Sequence, residues 1–122
     1  MNHLDEITLT GIRGMGYHGV YDFERRDGQE FVVDLSLYLS LAPAAASDDV
    51  ADTVHYGELA EQVVAIIAGE PVNLIETLAT RIADAVLTRD LVQLVRVSVH
   101  KPQAPIPVPF GDVVVTVTKA KS

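Results

Sequence analysis

From Phe31 to Leu41 the chain alternates without a break. FVVDLSLYLSL places Phe31, Val33, Leu35, Leu37, Leu39 and Leu41 on one face and Asp34, Ser36, Tyr38 and Ser40 on the other. A period of two marks a strand with one buried face. Ile7, Leu9 and Gly11 alternate with Thr8 and Thr10, which predicts a shorter strand before it. From about Tyr56 the period changes: Leu59, Ala60, Val63, Val64, Ile66 and Ile67 recur at helical spacing and stop at Gly69. Leu74, Leu78, Ala79, Ile82, Ala85 and Val86 predict a second helix, with Asn73 before it as N-cap. VRVSVH then turns Val95, Val97 and Val99 inward, and VVVTVTK does the same with Val113, Val115 and Val117. The polar stretch from Arg13 to Glu30 and the segment APAAASDDVADT break both periods and read as connections.

The order is β-β-α-α-β-β. It predicts an α+β fold, an antiparallel four-stranded sheet with two helices on its apolar face. No repeat or second unit interrupts residues 1–122, so a single domain is expected. The other sheet face carries Asp34, Ser36, Ser40, Arg96, Ser98, Thr116 and Thr118. Such a sheet would have two open edges, which proteins rarely leave unprotected. Closing several sheets into one barrel removes the edges and gives the polar face a lumen. A ring-shaped homo-oligomer is therefore expected.

Composition narrows the partners. A formal charge of −8 argues against nucleic acid or an anionic membrane as the main partner, since both attract basic faces. There is no cysteine, which removes disulfides, thiolate nucleophiles and thiolate metal sites. The start MNHLDEITL lacks a secretory pattern, and no apolar run approaches the roughly 18 residues of a membrane span. A cytoplasmic protein acting on a small molecule is the expectation.

GMGYHG at 14–19 has the spacing G-x-G-x-x-G. A dinucleotide fingerprint requires a helix directly after the glycines and a parallel crossover. VYDFERRDGQE shows no helical stripe and leads into the next strand, so the glycines shape a loop instead. Lys101 ends a valine-rich strand in VHKPQAPIP, where Pro102, Pro105 and Pro107 stiffen the loop after it. It is either a solvated lysine or a catalytic group on a rigid loop. Glu76, three residues after Asn73 in NLIETL, fits a capping box or a carboxylate that receives a ring edge with adjacent N–H groups. The free amides of that first turn could then bind a ring carbonyl. Tyr56 in TVHYGE is a core aromatic or a reactive hydroxyl, and Glu24 is a solvated charge or a ligand contact. His18, His55 and His100 match no standard zinc spacing, and no G-x-S-x-G elbow occurs.

GYHGVYDFE, TVHYGEL, NLIETLATRIA and VHKPQAPIP stand in that order. Together they make the chain resemble the dihydroneopterin aldolase family of folate biosynthesis, from Ile7 to about Val117. The resemblance implies the tunnelling fold, in which four subunits close a sixteen-stranded barrel and two rings stack as an octamer. It implies Glu76 as the anchor of a pterin's amino-pyrimidinone edge, assisted by the Ile75 backbone, and Glu24 as a further substrate contact. It implies Lys101 as proton donor and acceptor, and Tyr56 as an active-site residue facing that lysine across a subunit boundary. His18, Thr53 and Pro102 are expected to line the site.

A 7,8-dihydropterin carries its own imine, N5=C6, next to C1′. Breaking C1′–C2′ can therefore yield an enamine once N5 is protonated, and the protein need only bind the ring and move protons. No metal, Schiff base or cofactor is expected. The same resemblance leaves a dihydroneopterin triphosphate 2′-epimerase or a non-catalytic pterin-binding oligomer as alternatives. Tetramer and octamer are not separated by sequence.

Overall fold

The computed structural model describes residues 4–122; Met1 to His3, the start of the segment read above for a secretory pattern, lie outside them. Four strands run β1 (Asp5–Gly16), β2 (Gln29–Leu39), β3 (Leu94–His100) and β4 (Val114–Ala120). Helices α1 (Asp22–Asp27) and α2 (Ala42–Ser47) are short, and α3 (Tyr56–Ile67) and α4 (Ile75–Leu87) are the two long ones. The sheet is wholly antiparallel in the order β1-β2-β3-β4. Stripped of the short helices, the element order matches the expected β-β-α-α-β-β.

The alternation of β2 has the expected effect. Phe31, Val33, Leu37 and Leu39 are fully buried and Leu35 nearly so. Val95, Val97 and Val99 continue that layer across β3. Against it α3 packs on β1, and α4 packs across β3 and β4. Leu59, Val63 and Ile67 from α3 and Leu78, Ile82 and Val86 from α4 close the core. Removing each such side chain from water stabilises the fold by about 1.5–3 kcal/mol. Val113, Val115 and Val117 pack at its margin, half-buried.

Three local expectations change. The first strand runs well past Gly11, because a register shift between Leu9 and Ile12 absorbs the break in alternation there. Gly11 adopts φ +71° at that bulge, a conformation other residues rarely take. The stretch read as an irregular loop holds α1, and APAAASDDVADT holds α2 and a single 3-10 turn. Segments of six residues show too little periodicity to be recognised from sequence. Asn73 is not the cap of α4: Leu74 takes that position, without a side-chain bond to the helix.

β1 and β4 each pair on one side only, so each leaves an edge. Among the described residues, no helix is long and apolar enough to cross a membrane.

Candidate active site

Gly19 explains why the loop GMGYHG is rich in glycine. Its φ is +147°, and a Cβ there would collide with the carboxylate of Glu24. The chain thus gives up a side chain so that a carboxylate can lie against its backbone. Gly16 does comparable work at the end of β1, where a Cβ would meet the Ile67 carbonyl and the His18 ring.

Glu24 is only 3% exposed, so the reading of it as a solvated charge is wrong. It lies in the first turn of α1, where Oε1 accepts the Tyr21 N–H at 3.3 Å. Oε2 accepts from Gln29 Nε2 at 3.0 Å and from Lys101 Nζ at 2.7 Å. Burial pushes the carboxyl pKa up, but the bonds from Lys101, Gln29 and the Tyr21 amide together outweigh it and hold Glu24 below its ordinary value. Glu24 therefore stays ionised and Lys101 has a fixed counter-ion. The Lys101 side chain is 13% exposed, which also removes the reading of it as a solvated strand-end lysine.

Lys101 comes directly after the last residue of β3. Its backbone N–H donates to the Val113 carbonyl at 2.8 Å, and its own carbonyl accepts from Ala104 N–H at 3.1 Å. Both ends of its peptide segment are thereby anchored.

Glu24, Ile75, Glu76 and Lys101 line one cleft of about 330 Å³. Leu74, Ala104, Pro105 and Ile106 give it apolar walls, as a flat heterocycle requires. Glu76 is exposed in the first turn of α4, one residue short of a capping-box position, because the helix begins at Ile75. The first in-helix amide bonds come from Thr77 and Leu78, which leaves the Ile75 and Glu76 N–H groups outside the helical ladder. A carboxylate and free amides thus face the same space. Arg25, which the sequence did not single out, ties the two sides: Nε donates to the Gly19 carbonyl at 3.0 Å and Nη2 to Asn73 Oδ1 at 2.7 Å. That bond is what occupies Asn73 in place of capping. Gln29 was missed as well, since a glutamine at a strand start carries no sequence signal of its own.

The other expected residues fall elsewhere. Tyr56, at the first turn of α3, is 62% exposed and lies outside the lining of this cleft. Thr53 lines a different and larger hollow of about 550 Å³ with Val54, His55 and Glu58. Size does not select the site here, because only the smaller cleft unites carboxylates with the lysine. Pro102 is exposed and does not line the cleft. His18 is not a lining residue either: it is 1% exposed, locked between the Val72 N–H, which donates to Nδ1 at 3.1 Å, and the Ile67 carbonyl, which lies 2.7 Å from Nε2. Those partners fix a neutral ring with its proton on Nε2, and burial pushes its pKa down. His55 caps α3 by accepting the Glu58 N–H at 3.1 Å, and His100 lies on the polar sheet face. The three histidines therefore occupy three separate environments, and among the described residues no group of three or more histidine, aspartate or glutamate side chains is arranged to hold a metal ion.

The family model for dihydroneopterin aldolase, FolB, matches residues 7–118. The chain belongs to the dihydroneopterin aldolase family. It is 55% identical over 118 residues to the dihydroneopterin aldolase of Streptomyces coelicolor, covering 97% of this chain and 99% of that one. The crystal structure of the E. coli dihydroneopterin aldolase in complex with neopterin is similar with a TM-score of 0.86 and 31% identity, over 95% of this chain and 99% of that chain. A dihydroneopterin aldolase from Burkholderia thailendensis bound to guanine is similar with a TM-score of 0.80 and 28% identity, over 98% and 93% of the two chains.

Proposed function

We propose that this family member is a 7,8-dihydroneopterin aldolase. It converts its substrate into 6-hydroxymethyl-7,8-dihydropterin and glycolaldehyde, as a cytoplasmic step of folate biosynthesis. The observation that carries the reading is the cleft in which Glu76, the first-turn amides of α4, and the Glu24–Lys101 pair converge. Glu76 receives the adjacent N–H and NH₂ of the pyrimidinone edge, and the amide at Ile75 takes the ring carbonyl. A relative bound to neopterin and another bound to guanine support this assignment, since both ligands present that edge.

In the reaction the 2′-hydroxyl gives up its proton and C1′–C2′ breaks. The aldehyde leaves as glycolaldehyde while the bonding pair forms C6=C1′ and N5 takes a proton. Protonation of C1′ and loss of the N5 proton then restore N5=C6 and yield the hydroxymethyl product. Lys101, held by Glu24, manages the protons at the 2′-oxygen and near N5, through bound water. Tyr56 returns the proton to C1′. The pterin imine accepts the electrons, so neither a metal nor a lysine Schiff base is needed. Re-addition of glycolaldehyde to the other face of the enamine gives the C2′ epimer, and epimerase activity accompanies cleavage.

Tyr56 lies outside the cleft of its own chain, and β1 and β4 leave open edges. Both features support a homo-oligomeric ring, a tetramer or an octamer, in which the tyrosine of one protomer completes the cleft of the next. Incubation with 7,8-dihydroneopterin, with products resolved by chromatography, tests the reading. Release of glycolaldehyde that survives EDTA and leaves no borohydride-trapped adduct is expected. An unchanged substrate overturns it.

A further inference from the structure

On the polar face of the sheet, opposite the cleft, the last residue of β3 makes a contact that the reaction does not use. His100 Nε2 lies 2.7 Å from Asp34 Oδ2 on β2, and its Nδ1 lies 2.7 Å from Asp112 Oδ2 in the segment leading to β4. Ionised carboxylates only accept hydrogen bonds, so the protonated ring, which carries an N–H on each nitrogen, is the form that satisfies both at once. Each carboxylate is also fixed from its other oxygen. Asp34 Oδ1 accepts the Gly11 N–H from the β1 bulge at 2.7 Å, and Asp112 Oδ1 accepts the Val113 N–H at 2.8 Å.

The contact has a consequence for the other side of the sheet. His100 precedes Lys101, and Asp112 precedes Val113, whose carbonyl accepts the Lys101 N–H at 2.8 Å. The His100–Asp112 bond therefore closes the base of the loop 101–113 one residue from the lysine. That loop also supplies Ala104, Pro105 and Ile106 to the cleft.

We propose that His100 is a positioning residue: bridging Asp34 and Asp112, it locks the base of the 101–113 loop and so sets Lys101 and the apolar wall of the cleft. This rests on the aldolase reading for its effect on turnover but not for its effect on the loop. The Asp112 bond raises the imidazole pKa, burial opposes it, and Asp34 adds to the rise. The same face also carries Arg96, which lines a hollow with Asp34 of β2, and Arg13 of β1, which is paired with Glu30 at 3.0 Å. The clamp is thus complete below the ordinary imidazole value and opens as pH rises through the raised one.

Two measurements on the full chain test it. In the first, NMR follows the His100 imidazole together with the Lys101 and Ala104 amides across pH. The amides should shift with the imidazole in the wild type and stay still over that window in His100→Gln. Amides that ignore the imidazole overturn the proposal, whatever the protein catalyses. In the second, kcat and KM for 7,8-dihydroneopterin are measured against pH. His100→Gln and Asp112→Asn should each lower kcat/KM roughly tenfold, less than the ~100-fold that a 1 Å misplacement can cost. The fall in kcat/KM that tracks the His100 transition should be missing from His100→Gln. Wild-type values and an unchanged profile in both variants overturn the proposal. A wild type inert towards dihydroneopterin strikes the aldolase reading alone, and the amide measurement still decides His100.

Discussion

The Lys101 side of the molecule and the Tyr56 side differ in how much of each the chain holds by itself. Glu24 is 3% exposed, bonded from three directions, with Gly19 shaped to receive it. Tyr56 is 62% exposed and lines no part of the cleft that holds the lysine. The first group is preorganised inside one protomer, so its geometry is paid for by folding. In the proposed ring the second is placed by a neighbouring chain. Damage to the first should therefore reach stability and turnover together, and damage to the second should reach turnover alone.

The largest effect expected is from Lys101→Ala. Losing a positioned proton-transfer group should lower kcat about 10²–10⁴-fold in a product assay. If the proposed ring shares its sites between chains, mixing this variant with Tyr56→Phe should restore part of the activity, because hybrid rings would contain some sites with both groups intact. No recovery on mixing would place both residues in one chain and break the comparison. Next is Glu76→Ala, which removes charge-assisted bonds worth about 1.5–3 kcal/mol and should weaken substrate binding by that amount in a titration. Its thermal midpoint should hold, as the side chain is exposed.

Gly19→Ala should destabilise the fold by about 1–3 kcal/mol in denaturant titration, since it forces a side chain into a strained conformation against Glu24. His18 sharpens the same contrast through pH. Its folded pKa is lowered by burial, so the unfolded chain takes up the proton first. Its contribution is complete above the ordinary value of 6.5 and is lost as pH falls from there towards the folded value. Midpoints measured downward from neutral pH should fall in the wild type and fall less in His18→Gln. The smallest effect is on the other side: Tyr56→Phe should leave stability within about 0.5 kcal/mol, as exposed substitutions do.

The long elements were legible because each solves a burial problem with its own period. Phe31 to Leu41 and Leu59 to Ile67 show that period directly. α1 did not, since its six residues are too few to show a period. Glu24, Lys101 and Glu76 were legible as chemistry-bearing residues only through the motifs around them. The roles of Gln29 and Arg25 were not legible, because only the fold brings Gln29 to the Glu24 carboxylate and Arg25 to Asn73. His18 was expected to line the site, but two backbone partners far along the chain, Ile67 and Val72, hold it in the core instead.

By itself, the sequence determined the sheet, its two long helices and the face that each buries, because hydrophobic period is a local property of the chain. Tertiary structure decided which charges meet. It alone brought Glu24 to Lys101, moved the start of α4 past Asn73 and left Tyr56 facing outward, since Coulomb and hydrogen-bond partners depend on distance in space and not on spacing along the chain.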